Sequence, residues 1–270
     1  MTRRTIVTAV AGLSGTACLS ATGMAKVMPQ GAAGLSDLAL FARIRCQPAG
    51  QRTFWWYSGQ MLARRSGEAV RPLVTVVGAS QSDITLNPDG SISYALKEAG
   101  YYGDIATGVI ADKPIVNTLT GEMIQPEHYL SPQKLRFLPD LSVRPDMANL
   151  PPGLDYRGRI TPPDRKGDYV WMAEELFVAQ PASATRPVRI SNSLANFQVR
   201  ASDLYSGMAF VPATMQYTTI NSFRPWMNMG DTQGDVVMRI NAIKLAHWSG
   251  VDAALRARIA NDHPGIFHDL

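Results

Sequence analysis

Cysteine, histidine and net charge are what this 270-residue chain has least of: two Cys, four His, and 26 basic against 22 acidic residues. Each shortage excludes something. The charge excess is small, and the adjacent basic pairs are Arg3-Arg4, Arg64-Arg65 and Arg165-Lys166. No basic stripe of the kind that tracks a phosphate backbone can be built from them, so no nucleic acid is expected as a partner. The familiar catalytic signatures are missing as well. There is no C-x-x-C, no H-E-x-x-H, no phosphate-binding glycine loop, no dinucleotide fingerprint and no G-x-S-x-G elbow. His263 and His268 sit in the tail, and neither His128 nor His247 has a second histidine close by, so no metal site is assigned. No cofactor is expected. Once the N-terminus is set aside, no apolar run approaches the roughly 20 residues of a membrane span.

The N-terminus reads as an address. Arg3-Arg4 precedes a weakly apolar stretch from Ile6 to about Leu19, and Gly23-Met24-Ala25 suits a signal peptidase. Paired arginines ahead of a modest apolar core look like a twin-arginine export signal over residues 1–25, which places the mature protein in the periplasm. Cleavage removes Cys18 and leaves Cys46, which cannot form an internal disulfide and reads as a small buried hydrophobe. No integral membrane segment remains after cleavage.

Residues 26–35 are Gly- and Ala-rich and read as a linker. Ser36 then caps a helix with Leu38, Leu40, Phe41 and Ile44 at helical spacing. From Arg52 onward the pattern is short strands and tight turns: Arg52–Arg64, Ser66-Gly67-Glu68, Val70–Val77, Asn87-Pro88-Asp89-Gly90, Ser91–Tyr102, and Ile115–Leu119 returning through Thr120-Gly121-Glu122 to Met123–Leu130. The stretch 139–163 is proline-rich with little periodicity, and reads as an irregular surface excursion. Tyr169–Ala179 and Val188–Arg200 resume strand composition, although Trp171–Val178 also fits a helix. Phe210–Phe223 and Val236–Leu245 are further strands, and Val251–Ile259 closes the chain as an amphipathic helix. The fold class is mainly β (α+β): a single antiparallel barrel or sandwich-like domain over residues 36–270, with a helix near each end.

Strand alternation picks out the candidate site. Ile92, Tyr94, Leu96 and Glu98 share the more apolar face of one strand, so Glu98 projects inward, where burial raises a carboxyl pKa and suits it to general acid or base chemistry. The alternative is a carboxylate paired with an inward arginine. Tyr101 and Tyr102 follow closely and are candidate hydrogen-bond donors. His128 shares a face with Ile124 and Leu130 and is the second candidate proton carrier. Trp56, Arg224, Trp226 and Glu122 are candidate substrate-binding residues, because an Arg beside rings at a strand end can hold a ligand carboxylate.

Five segments stand in a fixed order along the chain: Phe41-Ala42-Arg43-Ile44-Arg45-Cys46, Trp55-Trp56-Tyr57-Ser58-Gly59, Lys97-Glu98-Ala99-Gly100-Tyr101-Tyr102, Asn117-Thr118-Leu119-Thr120-Gly121-Glu122 ahead of His128, and Pro225-Trp226-Met227-Asn228-Met229-Gly230. Together they resemble a known family, the bacterial domain of unknown function 1838. The resemblance spans roughly residues 36 to 270 and implies an uncharacterised, often exported group with no catalytic assignment. Two places depart from the family pattern: before the Thr-Gly-Glu turn the chain reads Asn117-Thr118-Leu119 where the family usually has Asn-Pro, and Tyr129-Leu130-Ser131-Pro132 stands where an Asn-Asp-Pro stretch is usual. Three expectations follow. The first is an exported, cofactor-independent lyase, isomerase or hydrolase acting on a small apolar or aromatic molecule. The second is a non-catalytic periplasmic binding protein for a hydrophobic ligand. The third is a structural partner whose aromatics are all core.

Overall fold

The computed structural model describes residues 34–147, 150, 152–182 and 188–267. The proposed export signal at 1–25 lies outside the described residues, as does most of the linker. Helix α1 (Asp37–Arg45) begins at Ser36, whose hydroxyl accepts from Ala39 N at 3.2 Å, and ends with Arg43 and Arg45 in its last turn, where cations suit the helix dipole. Next come β1 (Thr53–Arg65), β2 (Arg71–Leu86), β3 (Ile92–Asp104), β4 (Ile115–Val116), β5 (Met123–Ile124), β6 (Tyr129–Phe137), β7 (Ser142–Pro145), β8 (Asp155–Ile160), β9 (Asp164–Lys166), β10 (Tyr169–Gln180) and β11 (Arg189–Arg200). After a short α2 (Ala201–Leu204), β12 (Thr214–Asn221), β13 (Gly234–Leu245) and α3 (Ala253–Asp262) complete the chain.

Ten strands close a ring in the order β11-β12-β13-β1-β2-β3-β6-β7-β8-β10, with β10 pairing back onto β11 from Tyr169↔Arg200 to Gln180↔Arg189. Every neighbour is antiparallel, so the protein is an antiparallel β-barrel. Strand β9 lies outside the ring, pairing β10 where β8 has ended. Strands from both halves of the sequence share one wall. The proline-rich stretch is not a surface excursion: β7 and β8 run through it and close the gap between β6 and β10. Pro145 stands at the end of β7, where a missing N–H costs no ladder bond. Trp171–Val178 is strand, not helix, because its alternate residues Met172 and Glu174 point into the barrel.

Side chains just fill an eight-stranded barrel, so ten strands leave a wider interior. Helix α1 plugs part of it. Phe41 is fully buried and meets Phe137 and Phe197 edge-on at 5.4 and 5.6 Å. From the wall, Lys244 on β13 donates to the carbonyls of Arg43 (2.8 Å) and Cys46 (2.6 Å), capping the end of the plug. Burial lowers the Lys244 pKa to about 8. The same burial pushes the Cys46 thiol up to about 11, as befits an inert core residue. On the outer face, α3 lays Leu255 and Ile259 against Ala79, Ala99 and Tyr101 of β2 and β3. Among the described residues no helix is long and apolar enough to cross a membrane.

A tyrosine-lined cavity as candidate functional site

Above the plug the barrel encloses a cavity of about 380 Å³. Its walls follow from the sheet register. One row across β1, β2, β3 and β6 reads Tyr57, Gly78, Gly100, Tyr129, and the next reads Trp55, Ser80, Glu98, Ser131. The two glycines explain the first row. A Cβ on Gly78 would fall on the Tyr57 hydroxyl, and one on Gly100 would fall on the Tyr129 ring. The tyrosines from the flanking strands therefore lie flat over the glycines and meet hydroxyl to hydroxyl at 2.9 Å. The Tyr129 hydroxyl also lies 3.4 Å from Glu98 Oε1, and the Tyr57 hydroxyl 3.3 Å from the Ala99 carbonyl.

Burial raises the Glu98 pKa, with the hydrogen bonds from Tyr57 and Tyr129 and the Arg45 charge acting against it. Counting hydrogens along this chain gives two states. When Glu98 is protonated, it can donate to Tyr129, Tyr129 to Tyr57, and Tyr57 to the Ala99 carbonyl. When Glu98 is ionised, Tyr129 donates to it and Tyr57 donates to Tyr129.

At the floor, Arg45 reaches in from α1 and pairs with Glu174 of β10 at 2.9 Å. Its guanidinium lies over the Tyr94 ring at 4.7 Å. Higher up, Tyr129, Tyr102 and Trp226 form a run of rings with centroids 5.7 and 5.2 Å apart. Arg224 borders the cavity beside them and makes no ion pair with any described carboxylate. Of the guanidinium nitrogens at this cavity, Arg45 Nε and Arg224 Nε are buried with no hydrogen-bond partner among the described residues. A cavity with aromatic walls, a carboxyl held by hydroxyls and an uncompensated cation suits a flat molecule carrying a negative group.

Of the residues expected from the sequence, Glu98, Tyr102 and Arg224 come together here, with Trp226 packed behind Tyr102. The others do not. Tyr101 points to the opposite face of β3, under α3, where Arg258 lies 5.3 Å from its ring. His128 stacks on Tyr101 at 5.1 Å and accepts from Tyr102 N through Nδ1, so it too lies on the outer side. The inward reading of His128 fails because the chain leaves its ladder after Ile124 and re-enters at Tyr129, which resets the alternation. Burial and the neighbouring Arg258 lower the His128 pKa, so it is a neutral ring packed beside the Asp112–Arg258 ion pair (2.6 Å). Trp56 also faces outward, and Trp55 lines the cavity in its place. Glu122 accepts from Asn228 Nδ2 at 2.7 Å, while Asn117 Nδ2 donates to the Met227 carbonyl at 2.8 Å. These bonds clamp the β4–β5 hairpin to the turn that carries Arg224 and Trp226, so Glu122 supports the site without bordering it.

Tyr57, Tyr129, Arg45 and Glu174 escaped the sequence reading. The signal for the first two was present in Gly78 and Gly100, since glycine inside a long strand marks a close approach. Substituting Gly100→Ala is expected to push Tyr129 off Glu98 and to cost roughly 1–3 kcal/mol. Thermal unfolding reads this as a lowered Tm, and an unchanged Tm would contradict the packing described.

The fold and cavity define a class, the ligand-sized antiparallel β-barrel closed at one end by a helix. Within that class, residues 50–268 match the family described as "Protein of unknown function (DUF1838)", and the chain belongs to that family. No curated protein and no solved structure matches the chain.

Proposed function

We propose that this protein is an exported enzyme that transfers protons, without a cofactor, on a small flat molecule held in the barrel. The observation that carries the reading is Glu98: a half-buried carboxyl with a raised pKa, placed on a cavity wall and linked through Tyr129 to a second tyrosine hydroxyl. In this reading Glu98 takes a proton from one substrate atom and returns it to another, as an isomerase or lyase requires. Tyr102, backed by Trp226, supplies the flat wall, and Arg224 holds the anionic end of the substrate. Glu174 is committed to Arg45 and takes no part in the proton transfer. The position of His128 outside the barrel favours one alternative, a binding protein that holds the same ligand unchanged, because Glu98 then has no histidine to share the protons.

One measurement tests location and ligand together, namely native mass spectrometry of the protein recovered from the periplasm of cells that make it. The expected result is a chain beginning near Lys26 that carries a one- or two-ring anion, with the anion missing from Arg224→Gln. A full-length chain retained in the cytoplasm would remove the export signal. A ligand retained by Arg224→Gln would place the anchor elsewhere.

A further inference from the structure

The Tyr129 hydroxyl and Glu98 Oε1 stand 3.4 Å apart, whereas a hydroxyl-to-oxygen hydrogen bond is ordinarily about 2.7–2.8 Å. The pair is loose where its neighbour is not: Tyr57 and Tyr129 meet at 2.9 Å. Two groups that border one cavity at this separation can both reach a single oxygen placed between them. The hydrogen count permits it. If Tyr57 donates to Tyr129, the Tyr129 hydrogen is free to turn into the cavity, and a protonated Glu98 brings a second donor to the same point. The Gly78 and Gly100 notches hold both rings against the sheet, so the donors are fixed before any ligand arrives. We propose that Tyr129 and Glu98 form a two-donor grip on one ligand oxygen that carries negative charge, with Tyr57 supporting Tyr129. The ligands that present such an oxygen on a flat body are phenols and enolisable ketones.

This rests on the reading of the cavity as a proton-transfer site and adds to it the class of substrate. Proton removal beside a carbonyl places charge on the carbonyl oxygen, and two preorganised donors lower the energy of that charge in a site screened from water. Ionised Glu98 takes the C–H proton, the C–H electron pair becomes the enol double bond, and the former carbonyl electrons sit on the oxygen that Tyr129 and the now protonated Glu98 grip. Return of the proton at another carbon completes an isomerisation with no oxidant or reductant needed.

Two probes separate the grip from the anion anchor. 6-Hydroxy-2-naphthoate carries a phenolic oxygen at one end and a carboxylate at the other, and 2-naphthoate lacks the hydroxyl. The folded full chain is titrated with each, following naphthol absorbance and fluorescence. The expected result is roughly tenfold or tighter binding of the hydroxylated probe, as one or two charge-assisted hydrogen bonds supply. Bound probe should also show the naphtholate band at a pH where free probe is neutral. Tyr129→Phe should abolish both the preference and the band while leaving 2-naphthoate affinity and Tm close to those of the parent. Tyr57→Phe should weaken the preference only in part. Equal affinity for the two probes, both weakened by Arg224→Gln, would overturn the two-donor grip and leave the anion-anchored cavity standing. Failure of both probes to bind would overturn the cavity reading along with it.

Discussion

Glu98→Gln is expected to abolish most activity while leaving the protein at least as stable as its parent. Glutamine keeps the shape and can still hydrogen-bond to Tyr129, but it cannot carry a proton to or from a substrate. Loss of a general acid or base ordinarily costs about 10²–10⁴ in rate, and that loss should fall on kcat. The stability side can be measured before any substrate is known. Burial raises the Glu98 pKa above its ordinary 4.5, so the folded state holds this proton more tightly than the unfolded chain does. Between pH 4.5 and the raised value the folded state therefore binds more protons, and stability falls as pH rises through that window. Below the window the contribution is fully present, and above it the barrel bears a buried charge. The glutamine variant lacks this dependence, so its Tm should match the parent in acid and exceed it near neutrality. A variant that is less stable than the parent at neutral pH would identify Glu98 as the partner of a structural cation. Its role as a proton carrier would then be lost.

The strand and turn pattern was largely legible because both faces of this barrel are sorted by alternation. The inner face is packed and the outer face solvated, so the period of two survives in the sequence wherever a strand runs unbroken. It put Glu98 on the inner face of β3, where the side chain does border the cavity, because the thirteen residues from Ile92 to Asp104 run without interruption. It failed at His128, where an interruption of the ladder shifts the phase by one residue and turns the inward position from His128 to Tyr129. It failed again at Trp56, because large rings occupy both faces of β1 and composition alone cannot say which face is inside. Phe54 packs under Trp248 on the outside, and Trp55 with Tyr57 fills the inside. The β7–β8 stretch was hidden for a different reason. Short strands at a barrel seam, joined by proline turns, carry too few residues to display a period, and only ring closure shows that they belong to the wall.

Closure also accounts for the pair that no local pattern reveals. Arg45 ends α1 and Glu174 lies in the middle of β10, far apart in sequence. They meet because the helix plugs the barrel that β10 completes. Both side chains are almost wholly enclosed, at 11% and 3% exposure. The pair itself contributes little net stability, since desolvating two charges offsets most of their attraction. Breaking it is another matter. Arg45→Met leaves the Glu174 carboxylate buried and alone, which should cost about 3–5 kcal/mol in denaturant unfolding at neutral pH. That is a large share of a typical domain's 5–15 kcal/mol. The deficit should depend on pH with a definite sign. Burial already raises the Glu174 pKa above its ordinary 4.5, with Arg45 pulling the other way, and removing Arg45 raises it further. The folded variant then holds the Glu174 proton where the unfolded chain has released it. Its stability should be close to the parent's near pH 4.5 and fall away as pH rises. Arg45→Met combined with Glu174→Leu removes both charges and should recover most of the loss. A single variant with the same deficit at every pH would mean that Arg45 acts through packing over Tyr94 and Phe197 and that its charge is incidental.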